Sequence, residues 1–384
     1  GRKEHQSNMC GIAGFWKPGA EVRSQVIEAM LSVIHHRGPD GQGEHVDQSR
    51  GLGMGHARLS IIDLEGGHQP LYGRGGAHVL TVNGEFYDYK RIRARLTCDG
   101  ARFRTKSDSE IALHLYERHG LDFVQHLRGE FAFALFDAEK ERLILVRDRF
   151  GIKPIYYRFA PGFFAYGSEV KSLLMHPDAP RGLDKESALH QMMQVMVPGK
   201  TAFEGIEAVE PGYMHVIERH GDGFHMDRIR YWDFEFPVAE DHDPEPEEAY
   251  YVDGVRDRLL DAVATRLEAD VPVGCYLSGG IDSCSILGLA TPMQQASVRA
   301  YTISFDSDTY DEAAIAHEMA LETGADQVLL KLSGDELYGD HFCRVLWHAE
   351  RTFYNTLAVA KWHMSQKVKE GGRKVVITGE GSDE

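Results

Sequence analysis

The sequence has few cysteines, no long apolar run and no excess of positive charge. Its five cysteines among 384 residues are unevenly spaced, which excludes a dense disulfide framework and favours a reducing cytoplasm. No window offers the roughly 18 uncharged apolar residues of a membrane span. The formal net charge of −17 disfavours a nucleic-acid partner, because such partners select basic surfaces. We therefore expect neither membrane nor nucleic acid as a partner.

The composition is that of a folded protein with more than one domain. Hydrophobic residues make up 42% and charged residues 26% of the chain, and a prior of roughly 100 to 200 residues per domain suggests two domains. Residues 1–8 are polar and are predicted to be an extension or a tag. We predict a first domain over 9–210, a connecting segment with an acidic, proline-containing linker over 211–247, and a second domain over 248–384 that is incomplete at its C-terminus.

Hydrophobic patterning differs between the two predicted domains. The first has strand-like runs at 78–83, 131–137 and 142–148 and helical patterns at 21–35 and 108–119. This order predicts packed antiparallel sheets with helices outside. The second alternates helical patterns with apolar strands at 271–277, 301–305 and 374–379. That alternation predicts a parallel sheet with helices on both faces and ligands at the carboxyl ends of its strands.

A cysteine near the start of the first domain can act as a nucleophile. If the residues before Cys10 are removed, its free α-amine, with an unperturbed pKa of about 7.7 to 8.0, can accept the thiol proton. The Met-Cys-Gly start resembles that of class II glutamine amidotransferases, which implies that the thiolate attacks the carboxamide carbon of glutamine, releases ammonia and leaves a thioester for water to cleave. With residues 1–8 attached this base is missing, so we expect either processing that exposes Cys10 or no glutaminase activity in this form.

Further motifs surround this cysteine in the sequence. They are HRGPDG at 36–41, RLSIID at 58–63, NGEFY at 83–87, SDSE at 107–110 and RDRFGIKP at 147–154. Together with the Met-Cys-Gly start, their order and spacing resemble the class II glutamine amidotransferase domain of glutamine-hydrolysing asparagine synthetases. The resemblance implies an α+β N-terminal nucleophile hydrolase sandwich with αββα layers.

A pocket selective for glutamine needs a cation, an anion and groups that recognise the carboxamide. Arg58 suits the α-carboxylate because a guanidinium can bind two oxygens, and Asp108 suits the α-ammonium. For the oxyanion of the tetrahedral intermediate, the resemblance implies the Asn83 side-chain N–H and the Gly84 backbone N–H. Asn-Gly is also a strong signal for a hairpin turn, and both interpretations can hold. The other pocket residues that the resemblance implies are Leu59, Ser60, Ile61, Ile62 and Glu85.

The second domain carries two motifs that each follow a strand. LSGGIDS at 277–283 offers backbone amides and two hydroxyls to an anion at the start of a helix, without the lysine of a P-loop. It resembles the pyrophosphate loop of ATP pyrophosphatases. TGEGSDE at 378–384 resembles the asparagine synthetase signature, with Thr378 where serine is usual. The resemblance implies a Rossmann-like ATP-pyrophosphatase domain.

The resemblance also assigns roles in this second domain. Asp282 and Asp383 would hold Mg²⁺ between phosphate oxygens, as suits a hard cation. Glu380 would assist acyl-adenylate formation and the attack by ammonia. The ATP-binding residues that it implies are Leu277, Ser278, Gly279, Gly280, Asp282, Ser283, Ile303, Thr378 and Gly379.

Taken together, the motifs predict an ATP-dependent, glutamine-hydrolysing ligase that amidates aspartate through β-aspartyl-AMP. Its predicted partners are glutamine, ATP with Mg²⁺ and aspartate, and the resemblance is compatible with a homodimer. A cyclase of the β-lactam synthetase type is disfavoured because Cys10, Arg58, Asn83 and Asp108 are all intact. Two alternatives stay open. One is amidation of another carboxylate in a peptide, polysaccharide or natural-product pathway, and the other is a non-enzymatic regulatory or scaffold role.

Overall fold

The computed structural model describes residues 9–241, 247–306 and 312–382. Within them the chain forms two compact units, the first comprising residues up to Asp233 together with His348–Tyr354 and the second comprising Phe234–Trp347 and the residues from Asn355 onward. No helix among the described residues is long and apolar enough to cross a membrane.

Unit 1 contains two six-stranded antiparallel sheets. Sheet A has the order β10-β8-β9-β1-β3-β2, with β1 Gly11–Trp16, β2 Gly41–Asp47, β3 Leu52–Arg58, β8 Tyr156–Ala160, β9 Phe163–Gly167 and β10 Glu207–Ala208. Sheet B has the order β12-β11-β7-β6-β5-β4, with β4 Leu71–Gly73, β5 His78–Phe86, β6 Gly129–Asp137, β7 Arg142–Arg147, β11 Tyr213–His220 and β12 Gly223–Arg230.

Strand β6 shows why the two sheets stack. Its alternate residues point to opposite faces, and both faces are apolar and buried. Ala132, Ala134 and Phe136 pack in the core between the sheets, against Trp16 of sheet A. Phe133 and Leu135 pack on the other side of sheet B, in the core that includes the helix of residues 111–119.

The helices of unit 1 lie on the outer faces of the sheets. They are α1 Ser24–Ser32, α2 Tyr89–Cys98, α3 Ile111–His119 and α4 Val170–Leu174, while a fifth helix, α5 Lys185–Met192, buries only Ser187. Ile27 and Leu31 of α1 pack against Phe15 of sheet A, and Leu115 of α3 packs against sheet B. The resulting helix–sheet–sheet–helix layers confirm the sandwich predicted from the sequence.

Unit 2 contains a four-stranded parallel sheet of order β15-β14-β13-β16. Its elements are α6 Glu248–Arg266, β13 Val273–Tyr276, α7 Ile281–Ala290, β14 Arg299–Phe305, α8 Ala313–Thr323, β15 Asp326–Leu332, α9 Asp340–Ala349, α10 Leu357–Glu370 and β16 Val375–Ile377. Val263 of α6 and Leu287 of α7 pack on one face, and Met364 of α10 packs in a separate core with Tyr301. Helices therefore cover both faces, which confirms the predicted parallel α/β sheet.

Candidate active sites

A small cavity in unit 1 brings together most of the residues expected to bind glutamine. Cys10 directly precedes β1, and pairing of Gly11 with Ala57 places it beside the end of β3, where Arg58 lies. The cavity has a volume of about 40 Å³, well below the roughly 300–1,000 Å³ of typical ligand sites. The residues that line it are Cys10, His56, Arg58, Leu59, Ile61, Ile62, Gly67, Gln69, Gly84, Glu85, Ser107, Asp108 and Ser109.

The thiol of Cys10 is held by the backbone of Leu59. The Leu59 N–H donates to Sγ at 3.3 Å, and Sγ lies 3.5 Å from the Leu59 carbonyl oxygen. Arg37 Nε donates to the Cys10 carbonyl oxygen at 2.9 Å. Burial raises the pKa of the thiol to about 11, although the Leu59 hydrogen bond and the charge of Arg37 act to lower it. At neutral pH the thiol therefore needs a base to become a nucleophile.

The cation and the anion of the cavity are both buried and are fixed by backbone groups. Arg58 donates to the carbonyl oxygens of Asp63 at 2.6 Å and Leu64 at 3.2 Å. Asp108 accepts from the Phe86 N–H at 2.7 Å. Burial raises the pKa of Asp108 to about 6, against hydrogen bonds that lower it. The two groups can thus present opposite charges to one ligand.

The predicted oxyanion pair lies within a strand. Asn83 and Gly84 are interior residues of β5, which continues to Phe86, so no hairpin turn forms at this dipeptide. Gly84 lines the cavity, whereas Asn83 is not among the lining residues. Asn83 is nevertheless 0% exposed, and neither its Nδ2 nor its Oδ1 has a hydrogen-bond partner within the described residues. A buried amide without partners is costly unless something else satisfies it.

Ser60 is the other predicted residue that does not line the cavity. Its N–H donates to Asp40 Oδ2 at 2.8 Å, which fixes the loop after β3.

Sequence reasoning missed His56 and Gln69. His56 lies two residues before Arg58 on the same strand, so strand periodicity could have found it. Burial lowers the pKa of His56 to about 3, which makes it a neutral lining group.

In unit 2 the glycine-rich loop has an ordered internal structure. The Ser278 N–H donates to Ser283 Oγ at 3.1 Å, and the Ser283 hydroxyl donates to the Gly280 carbonyl oxygen at 3.1 Å. Gly279 has φ +94°, a conformation that favours glycine. The loop joins β13 to α7, so the amides of the first turn of α7 lie beside it.

The second motif lies directly against this loop. Strands β13 and β16 are neighbours, and a Cβ atom on Gly379 would lie 2.8 Å from Asp282 and from the Ser283 nitrogen. The order β15-β14-β13-β16 changes direction between these two strands, which is where parallel α/β sheets bind ligands. The structure thus brings Ser278, Gly279, Gly280, Asp282, Ser283, Thr378 and Gly379 to one edge of the sheet.

The remaining residues predicted for this site are placed differently. Leu277 is buried beside the loop, and Ile303 lies near the carboxyl end of the neighbouring strand β14, where its side chain packs in the core that contains Tyr301. Glu380 forms an ion pair with Lys361 at 2.5 Å. Asp383, predicted as a Mg²⁺ ligand, lies outside the described residues.

The fold and the two sites define a class of protein. An αββα sandwich with a cysteine, an arginine and an aspartate around one cavity is the architecture of a glutamine amidotransferase domain, and the same chain carries a parallel sheet with a glycine-rich loop at its switch point. The chain belongs to the glutamine amidotransferase domain family, whose model matches residues 9–232. Residues 254–384 match the family model described as asparagine synthase.

Several curated relatives match nearly the whole chain. Amidase chyE from Penicillium rubens is 38% identical over 98% of this chain and 58% of its own length. Amidase chry2 from Gibberella zeae is 39% identical over 98% of this chain and 59% of its own length. Asparagine synthetase [glutamine-hydrolyzing] 2 from Bacillus subtilis is 34% identical over 98% of this chain and 52% of its own length. The chain therefore spans between half and three-fifths of the length of these relatives.

Among solved structures, glutamine phosphoribosylpyrophosphate amidotransferase from B. subtilis, complexed with ADP and GMP, is 16% identical, with a TM-score of 0.44 over 97% of this chain and 91% of that chain.

Proposed function

We propose that the chain acts in a glutamine-dependent, ATP-consuming amidation of a carboxylate, with Cys10 as the nucleophile of its glutaminase site. One observation carries the proposal: Cys10, Arg58, Asp108 and Gly84 line a single cavity. They supply a nucleophile, a cation, an anion and a backbone N–H donor, which are the groups that binding and hydrolysis of glutamine require. The cavity must widen to admit glutamine.

The first half-reaction starts at the Cys10 sulfur. With a pKa of about 11, the thiol is ionised only to about one part in a thousand at pH 8, so a local base must take its proton. When Cys10 is the first residue, its own α-amine is that base. The sulfur attacks the carboxamide carbon, ammonia leaves after protonation of the amide nitrogen, and water cleaves the thioester to give glutamate.

The oxyanion of this step would be stabilised from β5. The Gly84 N–H is the backbone donor, and Asn83 has a side-chain amide that is unpartnered among the described residues. Asn83 does not line the cavity in this structure, so its side chain would have to turn toward the cavity to donate to the oxyanion. Removing one such donor from a hydrolase typically lowers kcat about 10²–10³-fold.

The second half-reaction would take place in unit 2. Backbone amides of the loop at 278–283 would bind the phosphates of ATP at the start of α7. The half-exposed carboxylate of Asp282 fits a Mg²⁺ ligand, with Asp383 proposed as its partner, and the ion would neutralise phosphate charge. The carboxylate of the acceptor substrate attacks the α-phosphorus of ATP to form an acyl-AMP with loss of pyrophosphate, and ammonia then displaces AMP. Glu380 is the proposed base for this attack.

Glutamate release is the direct test of the glutaminase proposal. The chain that begins at Cys10 should hydrolyse glutamine, whereas the chain that begins at Gly1 should not, because its Cys10 nitrogen is in a peptide bond. Cys10→Ala in the shorter chain is the control for contaminating activity. Equal rates in the chain that begins at Cys10 and its Cys10→Ala variant would refute the proposal.

The acceptor acid has two candidates. Aspartate follows from the resemblance to asparagine synthetases. A different carboxylic acid is favoured by the identity of 38% and 39% to two fungal proteins named amidases, compared with 34% to the B. subtilis asparagine synthetase. ATP–pyrophosphate exchange, measured with aspartate and with a panel of other carboxylic acids, separates the two. Exchange that depends on aspartate would identify an asparagine synthetase, and exchange only with another acid would exclude it.

A further inference from the structure

A short segment of unit 1 comes from a distant part of the sequence. Residues His348–Tyr354 belong to unit 1, although the residues on both sides of them in the chain belong to unit 2. The Glu350 carboxylate accepts from the backbone N–H groups of Val170 at 2.5 Å and Lys171 at 2.6 Å. The Thr352 hydroxyl donates to the Gln191 carbonyl oxygen at 2.9 Å.

Glu350 begins a series of alternating charges. Lys171 Nζ lies 3.0 Å from Glu350 Oε1 and 2.5 Å from Glu169 Oε2. Glu169 Oε1 in turn accepts from Arg37 Nη1 at 2.9 Å. All four side chains are at most 7% exposed. Two carboxylates and two cations thus balance in a buried site, where removal of one member leaves its neighbour uncompensated.

The series ends at the nucleophile. Arg37 Nε donates to the Cys10 carbonyl oxygen at 2.9 Å, and the Arg37 carbonyl oxygen accepts from the Met9 N–H at 2.9 Å. One guanidinium therefore joins Glu169 to the backbone of the residue that carries the reacting sulfur. The position of a nucleophile strongly affects the reaction rate, because a shift of about 1 Å can lower a rate about 100-fold.

Two further features show that the position of Glu350 is closely determined. Its φ is +55°, which is uncommon for a residue other than glycine and persists where the surroundings hold it. The ring of His348 lies 4.5 Å from that of His36, edge to face, and His36 Nε2 lies 2.9 Å from Glu169 Oε1. The segment thus contacts the charge series directly at Lys171 and, through His36, at Glu169.

We propose that Glu350 is a positioning residue for the glutaminase nucleophile. Through Lys171, Glu169 and Arg37 it fixes the backbone of Cys10, so that glutamine hydrolysis depends on a segment encoded within the synthetase half of the sequence. This inference rests on the proposed function of Cys10. It adds a residue that none of the sequence motifs contains.

The test compares two isosteric substitutions in the chain that begins at Cys10. Glu350→Gln keeps the shape of the side chain and one of its two acceptor oxygens but removes the charge that pairs with Lys171. We expect kcat for glutamine hydrolysis to fall about tenfold or more while KM stays within twofold, because Arg58 and Asp108 are untouched. The control is Glu207→Gln, a half-buried carboxylate of unit 1 that pairs with Lys200 and Arg228. It should lower Tm without changing kcat.

A double substitution separates positioning from general stability. Lys171→Met with Glu350→Gln removes both partners, so its effect on kcat should be smaller than the product of the two single effects. An unchanged kcat in Glu350→Gln, with only a lower Tm, would reduce Glu350 to a scaffold residue and overturn the inference.

A second readout does not require glutamine hydrolysis. If the parent chain releases no glutamate, the proposed function fails, and the rate at which iodoacetamide alkylates Cys10 is then compared in the parent and Glu350→Gln chains by peptide mass spectrometry. A changed rate would support positioning of the thiol by Glu350, and equal rates would overturn it.

Discussion

Asn83 is the side chain whose burial is hardest to explain by stability alone. It is fully buried, and neither of its polar atoms has a partner within the described part of the chain. Buried polar atoms without partners destabilise a fold, and those that persist commonly serve a ligand or a reaction. We therefore propose that this amide serves the glutaminase step, in which the oxyanion would satisfy it.

Asn83→Ala is expected to separate catalysis from stability. We predict that kcat for glutamine falls about 100-fold or more, while Tm stays equal or rises because an unsatisfied amide is removed from the core. Steady-state kinetics and thermal unfolding of the same preparation measure both quantities. The matched control is Thr81→Val, two residues earlier on β5 and equally buried, which should keep kcat. A large loss of Tm in Asn83→Ala with unchanged kcat would contradict the assigned role.

Asp108 should give glutamine capture a characteristic pH dependence. Burial raises its pKa to about 6, and only the ionised carboxylate attracts the α-ammonium of glutamine. We therefore predict that kcat/KM rises with pH through about 6 and loses about tenfold per pH unit below it. Asp108→Asn should lower kcat/KM and remove this limb of the pH profile. The limb that remains should reflect deprotonation of the α-amine of Cys10.

The raised pKa of Asp108 also predicts that ionisation of this carboxyl, which favours glutamine binding, destabilises the fold. Because the folded-state pKa lies above the ordinary value, the contribution of this group to folding is present at low pH and is lost as pH rises through about 6. Asp108→Asn should therefore have a higher Tm than the parent above pH 6 and a similar Tm near pH 4. A lower Tm of Asp108→Asn than of the parent at pH 8 would contradict this argument, because it would show that the ionised carboxylate stabilises the fold.

The sequence allowed prediction of charged and nucleophilic site residues better than of neutral ones. Cys10, Arg58 and Asp108 could be predicted because glutamine itself demands a nucleophile, a cation and an anion, and all three line the cavity. Strand periodicity places His56 on the same face as Arg58 but does not assign it to the site, and nothing indicates Gln69, since a buried neutral histidine and an amide are chemically as compatible with a core as with a site. Glu350 was also missed, because its role depends on contacts between residues some 180 positions apart.

Among strands and helices, apolar periodicity predicted those elements that bury a continuous face. The strand expected at 131–137 forms as β6, and the helix expected at 108–119 forms as α3. Helix α2 was missed because its apolar face is narrow: Tyr89, Ile92 and Leu96 pack against the core, and only Leu96 of its ten residues is buried. At Asn83-Gly84 the local turn signal is overridden by pairing of β5 with β6 on both sides of the dipeptide.

Pairing of β5 with β6 leaves no room for a side chain at Gly84. Its φ is +141°, and a Cβ atom there would lie 2.0 Å from the Glu130 carbonyl oxygen of β6. Gly84→Ala should therefore destabilise unit 1 by about 2–3 kcal/mol or more, measured by urea unfolding. The control is Gly41→Ala on β2, where a Cβ atom meets nothing within 4 Å, and it should change stability by less than about 1 kcal/mol. Equal effects of the two substitutions would contradict the packing argument.

For the chain as a whole, the order of strands and motifs predicted two architectures, and both are present. The limits of the predicted domains stay a prediction, and part of the predicted linker, residues 242–246, lies outside the described residues. The inclusion of His348–Tyr354 in unit 1 could not be predicted, because no local pattern distinguishes a segment that packs away from its chain neighbours.

If the two sites perform separate half-reactions, a change at one should leave the other working. Gly379→Ala would place a Cβ atom 2.8 Å from the Asp282 backbone and the Ser283 nitrogen, which forces the glycine-rich loop to move. We predict about tenfold weaker ATP binding by calorimetry, with glutamine hydrolysis by the chain that begins at Cys10 unchanged. Gly334→Ala, where a Cβ atom meets nothing within 4 Å, is the control in unit 2. Undiminished ATP binding in Gly379→Ala would place the nucleotide away from the loop, because a phosphate held by these amides could not tolerate their displacement.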